Sequence, residues 1–164
     1  MQARTATTIA EGLIAGVLAH VVIALVLIVA DLVAGRDAFH TPALLGSVLL
    51  ENGGQGCQVG PGVTLVLAYT SIHLVTLTIF GMLASWLVQG SQERPILWSA
   101  ALFVFIFVAW HLTGAVLSLL GGVQECVSLW PVTLAGFVGA IVMAVYLWRS
   151  HPGLRRDLRG DRYA

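Results

Sequence analysis

The sequence predicts an all-α, membrane-embedded fold: a polytopic, antiparallel bundle of four transmembrane helices with a short outer interfacial helix. Three observations lead there. Only 10% of the 164 residues are charged while 58% are hydrophobic, against roughly 25% charge in a soluble globular domain. The uncharged runs 12–30, 52–92, 95–124 and 126–148 can each hold the ~20 apolar residues that cross a bilayer core. With spans at 11–34, 62–88, 95–120 and 127–148, Arg4, Arg94, Arg149, Arg155, Arg156, Arg159 and Arg162 share one side and Arg36 stands alone opposite. That bias marks both termini as cytoplasmic and the membrane as the cell's inner membrane. Trp86, Trp98, Tyr146 and Trp148 then fall at the cytoplasmic helix ends, where amphipathic rings prefer the headgroup region.

Residues 1–150 thus read as one transmembrane domain and 151–164 as an Arg-rich cytoplasmic tail lying against anionic headgroups. The first span has a lone Arg4 before it and an apolar core longer than a secretory signal carries, so it reads as a retained anchor. Along it Gly12, Gly16, His20 and Ala24 recur every four residues, a small-residue packing face that runs into a histidine.

The outer loop 35–61 is too long for a turn. Thr41 as cap, Pro42 in the first helical position and Leu44, Leu45, Val48 and Leu49 along one side predict a helix over about 42–51, lying on the outer surface. The glycine-rich stretch 52–57 then favours a turn.

Span two repeats Thr64, Ser71, Thr78 and Ser85 every seven residues, a seam of small hydroxyl side chains. The short connection 90–94 makes spans two and three antiparallel neighbours. Span three sets Ala100, Phe107 and Gly114 beside Val104, His111 and Ser118. Span four offers Gly136, Gly139, Ala140 and Ala144 as its small face and holds no ionisable group. Beyond it, His151 and Pro152 stop the helix.

Cys57 and Cys126 both fall in outer loops, where an extracytoplasmic space permits oxidation, and pair as a disulfide in this reading. The bond closes a loop of about 70 residues and stabilises by roughly 4 kcal/mol on the chain-entropy model. Two free thiols are the alternative.

Four spans leave no length for a soluble catalytic or nucleotide-binding domain. There is no H-E-x-x-H, no G-x-S-x-G and no phosphate-cradling loop, so the chain does not read as an enzyme. A net charge of zero argues against nucleic acid as a partner. The expected partners are the lipid bilayer and other membrane subunits or a second copy of the chain. A non-catalytic accessory or stabilising subunit without a cofactor is the first expectation for function.

Ionisable groups at membrane depth are the functional candidates: His20, His73, His111 and Asp31. Counted from Pro95 and Gln89 at 1.5 Å per residue, His111 and His73 both lie roughly 24 Å from the cytoplasmic ends. Counted from Gly12, Asp31 lies at roughly 28 Å and His20 at roughly 12 Å. His73, His111 and Asp31 are therefore expected to meet in the outer half, with His20 one or two turns too deep to replace a ligand. His73 and His111 on antiparallel helices can ligate a haem b iron from opposite faces, with Gly114 and Ala115 making room; an electron carrier is the rival function. A metal site built from the histidines, or a proton relay through Asp31, His73 and His20, is a further alternative. His40 and His151 read as solvated loop residues.

Residues 31–35 (DLVAG), 41–46 (TPALLG), Tyr69 and Thr70 followed by His73, and 146–149 (YLWR) followed by His151 and Pro152 resemble a family of uncharacterised bacterial four-span membrane proteins. The resemblance covers both ends and span two; it implies a shared fold and no chemistry. Trp110 and His111 are not part of the pattern.

Overall fold

The computed structural model describes residues 2–51, 62–91 and 129–151. Among these, every element is an α-helix: α1 Gln2–Val33, α2 His40–Glu51, α3 Val63–Ser91 and α4 Leu129–Ser150. Three stretches, Thr7–Val33, Val63–Gly90 and Trp130–Ser150, are long and apolar enough to cross a membrane. Residues 95–120, expected as another span, lie outside the described residues, as do Cys57, Cys126 and the tail from 152.

Helix α1 begins nine residues earlier than its apolar pattern predicts. Its end is a Schellman turn: Arg36 N–H donates to Asp31 O at 2.9 Å and Gly35 N–H to Leu32 O at 3.0 Å. Gly35 sits at φ 70°, the left-handed conformation that glycine adopts without a Cβ penalty.

Helix α2 starts at His40, one turn's fraction before the expected position, and Thr41 is not its cap. Asp37 Oδ1 accepts from Phe39 N–H at 3.0 Å, and Asp37 O accepts from His40 N–H at 3.0 Å. The next free amide, on Thr41, donates to Asp31 Oδ2 at 2.8 Å. Pro42 has no amide to satisfy, and Ala43 N–H closes the first α-helical bond to Phe39 O at 2.9 Å. Every orphan donor of the first turn is thereby met.

Nor does α2 lie open on the surface. Thr41–Val48 are all buried, and Ala43, Leu44, Leu45 and Val48 pack with Leu65, Val66 and Tyr69 of α3 and Val132 of α4. A helix apolar on several faces is buried rather than interfacial. Gly46 permits this, since a Cβ there falls 2.6 Å from Leu65 C.

Helix α1 packs against both α3 and α4, whereas α3 and α4 barely meet. The α1–α3 contact is backbone on backbone. A Cβ on Gly16 falls 2.5 Å from Leu77 O and 2.6 Å from Thr78 Cα, and one on Gly81 falls 2.8 Å from Gly16 N. The expected Gly12–Gly16 face is thus in use. On the other side Ala15, Ala19, Met143 and Leu147 form a buried cluster, and a Cβ on Gly139 meets Ile23 Cδ1 at 2.6 Å.

Two expected seams fall elsewhere. On α3, Ser85 is fully buried and Thr78 half-buried, but Thr64 and Ser71 are exposed. A row spaced by seven drifts about 20° per heptad around a straight helix. On α4 the buried row is Ala135, Gly139, Met143 and Leu147, which turns Gly136, Ala140 and Ala144 outward.

Candidate functional site

The glycine crossing of α1 and α3 sets which polar side chains meet. Gly16 lies on Thr78; from there His20 is four residues up α1 and His73 five residues back along α3. Both imidazoles therefore stand about 6 to 7.5 Å beyond the crossing. Their Nδ1 atoms face each other at 3.2 Å, and the rings are 5.3 Å apart between centroids with planes tilted 57°. His20 is 9% exposed and His73 half-buried.

This corrects the depth of His20. Counting from Gly12 starts α1 too far along the helix, because α1 extends back to Gln2 and Gly12 already packs on Gly81 and Met82. His20 is level with His73, not one or two turns deeper. The matching glycines on the two helices carried that register in the sequence.

Tyr69, one turn from His73, stacks on its ring with centroids 5.1 Å apart and planes 15° from parallel. The i, i+4 spacing that brings them together is legible in the sequence, yet Tyr69 was not among the expected site residues. Beside the pair opens a small cleft of about 50 Å³ between α1, α3 and the start of α2; Ala24, Leu27, Phe39, Pro42 and Thr70 line it with His20, Tyr69 and His73. Its walls are mainly apolar, with the two imidazoles and the Tyr69 ring on one side.

Since Nδ1 faces Nδ1, one ring donates its proton and the other accepts with a lone pair. The pair shares one proton at that point, and an imidazole retains its second nitrogen for exchange. These two rings do not ligate one haem iron from opposite faces, because a 3.2 Å contact leaves no room for a porphyrin plane between them.

Asp31 is not brought to the histidines. It is 2% exposed, with Oδ1 accepting from Thr41 Oγ1 at 2.7 Å and Oδ2 from the Thr41 amide. It lies eleven residues from His20, about 16 Å along α1. A carboxylate at the N-terminus of α2 complements the positive end of that helix's dipole, so Asp31 joins two helices.

His151 is not solvated either: it is 6% exposed. Its Nδ1 donates to Leu147 O at 3.0 Å, and its Nε2 lies 3.4 Å from Glu11 Oε2. Glu11, absent from the expected site residues, is thus the α1 partner of the end of α4. His40 is half-buried at the start of α2. His111 lies outside the described residues, and among those described no group of three or more His, Cys, Asp or Glu gathers for a metal ion.

No family model matches the chain, and no curated protein or solved structure is similar to it.

Proposed function

We propose that the protein is an integral protein of the inner membrane, both termini cytoplasmic, that handles a small cation at membrane depth through His20 and His73, with proton exchange as its basal chemistry. The observation that carries this is the 3.2 Å contact between the two Nδ1 atoms. Ionisable side chains in transmembrane helices are costly and typically mark proton relays or ion pathways, and this pair borders a cleft that extends to the start of α2. The test is reconstitution into liposomes with a trapped pH dye. An imposed pH gradient should collapse faster through the wild type than through His20→Ala or His73→Ala. Equal rates would reduce the pair to an interhelical hydrogen bond worth about 0.6 to 2 kcal/mol.

A second reading, the accessory or stabilising subunit of a larger membrane assembly, is favoured by the outward row Gly136, Ala140 and Ala144 on α4, whose four-residue spacing suits close helix approach. Cross-linking from cysteines placed in that row, in native membranes, should capture another membrane protein or a second copy. Capture of neither removes the reading's support. Haem b on His73 and His111 stays a distinct proposal, in which His20 orients His73 as an outer partner; a reduced-minus-oxidised spectrum without a haem band disposes of it.

A further inference from the structure

Two lone-pair nitrogens at this spacing accept a cation larger than a proton. Resting on the reading of His20 and His73 as the working site, we propose that the pair also binds monovalent copper. A metal about 2.0 Å from each nitrogen bridges a 3.2 Å gap with a ligand–metal–ligand angle of about 106°, and side-chain rotation that widens the gap opens that angle toward linear coordination.

The choice of ion follows from charge and coordination number. Both ligands are neutral imidazoles, and among the described residues no third His, Cys, Asp or Glu joins them. A divalent ion such as zinc wants four ligands and here keeps two positive charges unopposed in an apolar wall, a large desolvation cost. Cuprous ion carries one charge, accepts imidazole nitrogen and is content with two or three ligands. Tyr69 stacked on His73 holds one ring in position, and the cleft beside the pair leaves both rings open on one side.

The proton balance is simple. With the pair neutral, the ring that carries its proton on Nδ1 shifts it to Nε2, both Nδ1 lone pairs bind the ion, and no proton is released. With one extra proton on the pair, that proton leaves as copper enters. No redox step is involved.

The experiment uses the full chain in detergent with Cys57→Ser and Cys126→Ser, since thiolates are themselves soft copper ligands. Cuprous ion is held reduced with ascorbate and titrated against a chromogenic cuprous chelator. One copper should bind per chain, with affinity at least tenfold weaker in His20→Ala and in His73→Ala, and zinc should not bind comparably. X-ray absorption of the loaded protein should show a two- or three-coordinate, nitrogen-rich shell without sulfur, a readout that stands even if a histidine variant fails to fold. Copper retained by the double histidine variant, or a sulfur-bearing or four-coordinate shell, overturns the proposal. So does a wild type that binds no copper; if that protein still dissipates a pH gradient through the pair, the proton reading survives alone, and if it does neither, both fall.

Discussion

The Glu11–His151 contact is governed by its proton count. Leu147 O only accepts, so His151 Nδ1 must carry a proton, and Nε2 then faces Glu11 Oε2 either as an imidazolium or across a protonated carboxyl. Glu11 Oε2 has no hydrogen-bond partner by strict geometry, which makes the carboxylate sensitive to any loss at His151. Glu11→Gln supplies an amide N–H for a neutral Nε2 and should be tolerated. Glu11→Ala leaves the buried Nε2 unmatched and should cost roughly 1 to 3 kcal/mol, read from thermal unfolding in detergent. Equal stability of the two variants would show that the contact is incidental. Asp31 gives a second test at this scale. Asp31→Ala strips the Thr41 amide and hydroxyl of their acceptors and should cost about 1 to 2 kcal/mol, as loss of a helix cap does, with faster hydrogen exchange confined to α2. Unchanged exchange there would deny Asp31 its capping role.

Helix contacts here are set by glycines that face backbone, and they divide cleanly into occupied and open ones. Gly16→Ala drives a methyl into Leu77 O and Thr78 Cα, whereas a Cβ on Gly136 meets nothing within 4 Å. The first change should destabilise by about 1 to 3 kcal/mol through overpacking, the second by nothing measurable; unfolding midpoints of the pair decide it. Because Gly16 is one turn from His20, Gly16→Ala should also diminish proton flux or copper binding, although it removes neither ligand. The contrast explains what the sequence disclosed at this scale. Helix type, the span positions around α3 and α4 and the Gly12–Gly16 face were legible, since composition and four-residue spacing report them directly. Rotation of α3 and α4 about their own axes was not: small residues occur on more than one side of each, and only the partner helix selects which side is buried. Thr64 and Ser71, Gly136 and Ala140 were misplaced for that reason.

For the molecule as a whole, α1 is the hub, bound to α3 on one side and α4 on the other, and both run antiparallel to it. Cysteines introduced at Arg36 and Gly90 should therefore label from opposite sides of intact cells, Arg36 from outside and Gly90 only after permeabilisation; the reverse pattern would invert the proposed orientation. The site was half legible at this scale. His20, His73 and Asp31 stand out as intramembrane ionisable groups, but their pairing depends on where each helix crosses its neighbour. A depth counted from a composition boundary missed that crossing by about two turns, while Tyr69 and Glu11 carry no site signal in the sequence, because an aromatic and a helix-end carboxylate are ordinary there.

The hub position of α1 has a consequence for synthesis. Helix α1 emerges before the helices it packs against, and each of its buried polar groups waits a different time for its partner. Asp31 meets Thr41 ten residues later, His20 meets His73 fifty-three residues later, and Glu11 waits for His151, 140 residues further along the chain. Until then the carboxylate has only water or headgroups to turn to, and the α4 face of α1 stays open to lipid. A chain arrested after α3 should hold the His20–His73 pair but remain a target for membrane quality-control proteases, and completion of α4 should end that vulnerability.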